Sequence, residues 1–442
     1  MSRRKKIPRE PVEAKIESLS HEGRGVCRVN GKTVFVDGAL AGENVKFSYR
    51  RSRRSYAEGV VEEVIADASA DRVEPACAHA SICGGCSLQH LSASAQIQHK
   101  QNVLLEQLKH IGEVEPESLL EPLTGESWGY RRKARLGVKH VQKKEKVLVG
   151  FREKHSAYIA DIQSCKVLHA SVGDRLMDLA SLVESLSIYN KVAQIEVAID
   201  DQQTALIFRN LETPSATDLE KLDQFGEDFD MKIYLQPGGP TTVTSLPGQE
   251  DSQLHYLVDD GNITIHFSPA DFTQVNSGIN RAMIDRVIDL LAIQPQESLL
   301  DLFCGLGNFT LPLARRAARV IGIEGAESLV NKARDNAGKN DIDNVEFYVA
   351  DLFACETEPE YLGGGYQKML LDPPRSGAEQ VVQSWKMRTA EKIVYVSCNP
   401  ATLSRDAGIL VNKRGFHLKS VGVMDMFPHT SHVESVAVFE RD

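Results

Sequence analysis

Cys398 ends the run Val394-Tyr395-Val396-Ser397-Cys398-Asn399-Pro400, where an apolar stretch stops at a turn signal. A thiol so placed stands at the mouth of a sheet, and in open α/β sheets ligands bind outside the carboxyl ends of the strands. A lone cysteine is more often an inert core residue, but this one has company. From Ser298 an apolar strand runs into Asp301, and Leu302-Phe303-Cys304-Gly305-Leu306-Gly307-Asn308 follows. The two glycines let a ligand approach the backbone, although a dinucleotide fingerprint would need a third at Thr310. The next strand, Arg319 to Ile323, ends in Glu324, spaced to grip a pair of ribose hydroxyls. Val345 to Ala350 ends in Asp351, and Lys368 to Leu371 ends in Asp372-Pro373-Pro374-Arg375.

This series of strand-end acids resembles the S-adenosylmethionine-dependent methyltransferase fold. Asp-Pro-Pro also occurs in amino-methyltransferases, where an aromatic residue follows; here Arg375 follows, and a cysteine ends the next strand. An exocyclic amine is already nucleophilic, whereas carbon 5 of a pyrimidine is not. A thiolate adding at carbon 6 gives an enolate that attacks a methyl sulfonium, and a base must then remove the carbon 5 proton. RNA cytosine-5 enzymes place a second cysteine near Asp-Pro-Pro; none is here, which favours uracil.

A base candidate is Glu434, which alone reads as an exposed acid at a strand start. It closes Phe427-Pro428-His429-Thr430-Ser431-His432-Val433-Glu434. With Asp-Pro-Pro-Arg and Ser-Cys-Asn-Pro, this segment resembles the RNA uracil-5-methyltransferase family. The resemblance implies Cys398 as nucleophile and Glu434 as base. It also implies S-adenosyl-L-methionine contacts from Gln274, Phe303, Asn308, Glu324, Asp351 and Asp372, although members often carry Asn at the position of Asp351. Phe272 is expected to stack on an extruded base, and His429 and His432 are assigned structural or RNA-facing places.

Cys77, Cys83 and Cys86, with Gly84-Gly85 in the short loop and Cys165 far downstream, read as a metal site. Spacing alone allows zinc or an iron–sulfur cluster, with His79 or His90 as substitute ligands. Ribosomal-RNA members of the family carry a [4Fe-4S] cluster on this pattern, so the resemblance implies one held by Cys77, Cys83, Cys86 and Cys165. Cys27, Cys304 and Cys355 read as ordinary thiols.

The formal charge of −10 looks wrong for an RNA binder until it is divided. Residues 1–60 carry a net +7 and residues 131–154 a net +8, leaving −25 on the rest, so two basic segments stand out as a phosphate footprint. The first has short strands and turns between Val12 and Ile65, fitting a barrel of about five strands of the oligonucleotide-binding type. Its Gly-x-Gly-Val and Phe-Val-x-Gly-Ala-Leu-x-Gly-Glu resemble a TRAM domain. In the second, Tyr130 beside Arg131, Arg132 and Lys133 suits unstacked RNA.

The expected architecture is α/β. Residues 1–67 form a TRAM-like barrel, 68–265 an α+β iron–sulfur and RNA-cleft domain with a helix over 92–111, and 266–442 a Rossmann-like seven-stranded methyltransferase domain. No apolar stretch is long enough to span a bilayer, and eight cysteines without a secretory h-region point to reduced thiols in a cytoplasmic protein, expected to be a monomer with no obligate partner protein. Cluster motif, barrel and catalytic motifs together resemble the family branch acting on 23S ribosomal RNA. The rival readings are a tRNA uracil-5-methyltransferase and a non-catalytic RNA-binding assembly factor.

Overall fold

The computed structural model describes residues 10–249, 253–354, 365–384 and 389–441, so the basic Met1–Pro8 segment and Cys355 lie outside the described residues. The N-terminal sheet has six strands: Val12–Lys15, Ser18–Leu19, Gly25–Val29, Lys32–Asp37, Asn44–Ser52 and Tyr56–Ala66. The first two are consecutive in the chain yet lie at opposite edges of the sheet. The crossing between them closes the barrel: Ile16 donates its N–H to Glu43 and Glu17 to Val26. Alternate residues, among them Val34, Val36, Val45 and Phe47, fill the interior, as a period of two requires. Cys27 belongs to that core, where burial pushes its thiol up to about 11. Asn30 and Gly31 both have positive φ and join two strands by the tight turn that an Asn-Gly pair favours. The fully buried Glu43 holds Arg72 at 2.6 Å, tying the segment after the barrel back onto it.

The central sheet runs Thr244–Ser245, Met231–Leu235, Thr204–Asn210, Val192–Ile199, Lys133–Val141 and Lys146–Gly150 in spatial order. Helices Leu176–Ser185 and Ala216–Phe229 cover it, the second opened by a capping box between Ser215 and Asp218.

Among the described residues the C-terminal sheet has eight strands, seven of them from the region 266–442. In order they are Val345–Val349, Arg319–Glu324, Ser298–Leu302, Lys368–Leu371, Lys392–Ser397, Glu434–Glu440, His417–Met424 and Ser118–Leu119. The first five are parallel, and Glu434–Glu440 runs antiparallel between its two long neighbours. The eighth is a two-residue edge strand supplied from far upstream. Strand order reverses between Ser298–Leu302 and Lys368–Leu371, which opens a crevice at their carboxyl ends.

Two upstream stretches pack on this sheet. Ile97, Val103 and Leu104 of helix Ala93–Gln107 join Tyr395, Leu403 and Leu410 in one core. On the opposite face, hairpin Leu254–Val258 and Ile263–Phe267 packs with helix Ser277–Leu291. The α-helix expected to Ile111 stops at Gln107 and widens into a π turn over Leu108–Gly112. Gly112 approaches the backbone of helix Pro400–Arg414 so closely that a Cβ would lie 2.4 Å from the Ser404 carbonyl. The wider turn buries Leu108 and Gly112 and leaves Ile111 facing solvent. Among the described residues, no helix is long and apolar enough to cross a membrane.

Candidate active site

A cavity of about 580 Å³ opens at the crevice. Gln274, Phe303, Asn308, Glu324, Asp351, Asp372, Cys398 and Glu434 all line it, together with the exposed Phe272. The glycine turn shapes one wall. Phe303, Gly305 and Gly307 all have positive φ, and the N–H groups of Phe303 and Cys304 both reach the Ile323 carbonyl. One Glu324 oxygen accepts from Gly305 N–H at 3.2 Å, while the other caps Gly325 and Ala326 at 2.8 and 3.1 Å. The acid at the end of this strand therefore locks the turn beside it.

Asn308 is nearly saturated inside the protein. Its Oδ1 accepts from Tyr256 Oη at 2.9 Å and from Asn280, and its Nδ2 donates to Asn280 Oδ1. It therefore has one amide hydrogen left for a ligand. Tyr256 comes from the hairpin and was not singled out in the sequence, because an alternating strand gives no sign of what its aromatic ring faces. Beneath the turn, Asp301 is buried and accepts from Thr310 Oγ1 at 2.5 Å. Burial pushes its carboxyl up to about 7, helped by Asp372 and Glu324.

At the other end of the cavity, Cys398 follows strand Lys392–Ser397 and precedes helix Pro400–Arg414. Asn399 caps that helix by accepting from Ala401 N–H at 3.1 Å, and its Nδ2 donates to the Arg375 carbonyl at 2.9 Å. The thiol and the Asp-Pro-Pro-Arg turn are thereby held together. Burial raises the Cys398 thiol to about 11, and the Glu434 and Asp372 carboxylates add to the rise while Arg375 opposes it. Burial likewise lifts Glu434 to about 8, with Asp372 adding and Arg375 opposing, and lifts Asp372 to about 7. The site thus gathers a thiol and several acids around one guanidinium, with the helix N-terminus as a further source of positive potential for a thiolate.

The two histidines part company. His432 lines the cavity, with Nδ1 3.4 Å from Arg375 Nη2, whereas His429 is buried and stacked on Trp128 with ring centroids 3.9 Å apart. Phe427 also lines the cavity, a place that its apolar character alone did not signal.

Cys77, Cys83, Cys86 and Cys165 line one small, enclosed cavity together with Arg131 and Phe151. Among the described residues, no three His, Cys, Asp or Glu side chains converge on a single metal ion. Burial raises the thiols of Cys83 and Cys165 and pushes Cys86 up to about 12, and the neighbouring sulfurs add to each rise.

Much of the charge in the second basic segment is engaged inside the protein. Tyr130 is buried and donates its hydroxyl to the Pro428 carbonyl at 3.1 Å. Arg132 pairs with Asp201 at 2.6 Å, Lys133 donates to the Pro269 carbonyl, and Lys144 and Lys146 share Asp161. These charges join elements. An open groove of about 850 Å³ lies between the barrel and the central domain; Arg24, Arg50, Arg51, His155 and Lys154, the last from the same basic segment, line it with Glu22, Asp37, Glu58, Glu153 and Ser431. Among the described residues, Arg50, Arg51 and Lys154 have no ion-pair partner.

Residues 92–357 and 361–442 match the family described as tRNA (Uracil-5-)-methyltransferase. The chain belongs to this uracil-5-methyltransferase family. Residues 5–61 match the TRAM domain, so the family's catalytic part here follows a TRAM barrel. A relative from Alkalilimnicola ehrlichii, named 23S rRNA (uracil(1939)-C(5))-methyltransferase RlmD, is 53% identical over 440 residues, covering 100% of this chain and 99% of that protein. One of the same name from Methylococcus capsulatus is 52% identical, covering 99% of each. The crystal structure of Pyrococcus abyssi tRNA (uracil-54, C5)-methyltransferase in complex with S-adenosyl-L-homocysteine aligns with a TM-score of 0.73 at 24% identity. It covers 97% of this chain and 100% of that one, so the uracil-5-methyltransferase fold extends along the whole molecule.

Proposed function

We propose that this protein methylates carbon 5 of a uridine in 23S ribosomal RNA, with S-adenosyl-L-methionine as donor and a covalent adduct between Cys398 and carbon 6. The observation that carries the reading is the meeting of Cys398, Glu434 and Asp372 with the glycine turn in one cavity. The names of full-length relatives more than half identical to the chain support the substrate.

Glu324 is placed to take the donor's ribose hydroxyls, and Gln274, Phe303, Asn308 and Asp351 to frame the rest of the donor. Asp372 lies between donor and base edge, and Phe272 stacks on the extruded uracil. The Cys398 thiol gives up its proton to solvent and the thiolate bonds to carbon 6, while the electron pair of the carbon 5–carbon 6 double bond moves onto carbon 5 and the carbonyl at carbon 4. Carbon 5 then takes the methyl group, and the donor leaves as a neutral thioether. Glu434 removes the carbon 5 proton, the freed pair restores the double bond, and the thiolate departs. Flanking RNA follows the groove past Arg50, Arg51 and Lys154 toward Ser431, which adjoins His432 of the catalytic cavity.

Cys77, Cys83, Cys86 and Cys165 are assigned to a [4Fe-4S] cluster, whose iron would stabilise their thiolates and join the segment at 77–86 to Cys165. The four thiols lining one small cavity support this assignment. Anaerobically purified protein should hold iron with acid-labile sulfide; zinc without sulfide would refute the assignment.

The substrate reading is tested with 23S RNA from cells lacking the gene, incubated with protein and donor and then digested for mass spectrometry. A single 5-methyluridine is expected. Methylation of tRNA instead would shift the substrate, and no methylation of either RNA would favour an assembly factor.

A further inference from the structure

Residues 425–433 connect strand His417–Met424 to strand Glu434–Glu440, and this loop supplies Phe427 and His432 to the catalytic cavity just ahead of Glu434. It is gripped from helix Ala93–Gln107 and from the residues that follow Cys86. Lys100 is fully buried; its Nζ donates to Asp425 Oδ1 at 2.7 Å and to the Phe427 carbonyl at 3.0 Å. Gln96, also buried, accepts the His429 N–H at 2.8 Å and donates to the Leu88 and Leu91 carbonyls at 3.1 and 2.8 Å. The His429 carbonyl takes the N–H groups of both Ser87 and Leu88 at 2.9 Å, and Ser87 Oγ accepts from Ser431 N–H at 3.1 Å.

His429 sits in the left-handed region at φ 65°, which an L side chain with a Cβ enters only at a cost. Such a conformation persists when its surroundings over-determine it, as these bonds and the stacking on Trp128 do. A loop needed only to connect two antiparallel strands would call for no buried lysine, no buried glutamine and no strained residue.

We propose that Gln96, Lys100 and Ser87 are positioning residues for the proton-abstraction step. They hold the loop so that the Glu434 carboxylate meets carbon 5 of the methylated adduct, and they make the Cys86-Ser87-Leu88 segment part of the same rigid unit. This inference rests on the reading above of Glu434 as base. It separates adduct formation, which depends on Cys398 on a different strand, from adduct resolution, which depends on the loop.

The test is single-turnover kinetics on RNA carrying tritium at carbon 5 of uridine, following the denaturation-resistant adduct and tritium release separately. Gln96→Leu removes the central bonds. Ser87→Ala removes one surface-side bond and serves as the deciding variant if Gln96→Leu does not fold, with Ser87→Thr as the conservative rescue. The expected result is adduct formation within about two-fold of wild type, with tritium release slowed about ten- to a hundred-fold, the range that a misplacement of about 1 Å produces. Binding of S-adenosylhomocysteine should be unchanged, and Ser87→Thr should restore release. Equal slowing of both steps would show a merely structural role and overturn the proposal, as would no change in either. A wild-type protein that forms no adduct would instead bring down the assignment of Cys398 and Glu434.

Discussion

A carboxylate that must accept a proton from carbon is a stronger base when burial has raised its affinity for protons. Glu434 is such a group, lifted from an ordinary 4.5 to about 8. Only the ionised form can take the proton, so turnover of the free enzyme should climb as pH rises through about 8. The same shift is a statement about stability. The folded protein holds this proton more tightly than the unfolded chain does. The stabilisation from Glu434 is therefore complete below its ordinary value and is lost as pH rises from there through about 8. Glu434→Gln carries no charge to desolvate. It should raise Tm by a few degrees at about pH 8, with the gain vanishing at about pH 4. Differential scanning fluorimetry across that range checks this, and a gain of equal size at every pH would contradict it. The places of these side chains were legible because Glu324, Asp351, Asp372 and Cys398 end or follow strands and Glu434 begins one. Two further cavity residues were not, since Tyr256 and Phe427 reach the cavity from segments whose pattern reports only burial.

At the scale of elements, Asn399 joins two tasks: it caps helix Pro400–Arg414 and holds the Arg375 carbonyl. Asn399→Ala should cost about 1 kcal/mol of stability from the lost cap, read by urea denaturation. It should also slow turnover by more than the unfolded fraction explains, because the Asp-Pro-Pro-Arg turn is released. A loss of activity that stability alone accounts for would limit Asn399 to the cap. The parallel strands and the barrel strands were readable from apolar runs ended by acids and glycines. The edge strand Ser118–Leu119 was not, because two residues carry no period. Nor was the π turn, which is imposed by the close approach of a helix distant in sequence.

At the scale of the whole molecule, charge counting finds the basic segments but not which of their charges are free. The basic stretch at 131–154 spends much of its charge on Asp201, Glu196, Asp161 and backbone carbonyls, and composition cannot distinguish a paired lysine from a free one. The barrel's Arg50 and Arg51 remain unpaired beside the groove. Replacing each by Ala should weaken RNA binding and lower the slope of log K against log salt by about 1 per arginine. Filter binding at several salt concentrations measures this; an unchanged slope would place the RNA elsewhere.

The covalent step is the centre of the account, and one experiment addresses it most directly. A 23S RNA fragment substituted with 5-fluorouridine is mixed with S-adenosyl-L-methionine and either wild-type protein or Cys398→Ala, then denatured and run on a gel. Fluorine at carbon 5 leaves Glu434 no proton to remove, so wild type should give a persistent RNA–protein band and Cys398→Ala none. A band of equal strength from Cys398→Ala, or no band from wild type on an RNA that it methylates when unsubstituted, would contradict catalysis through Cys398.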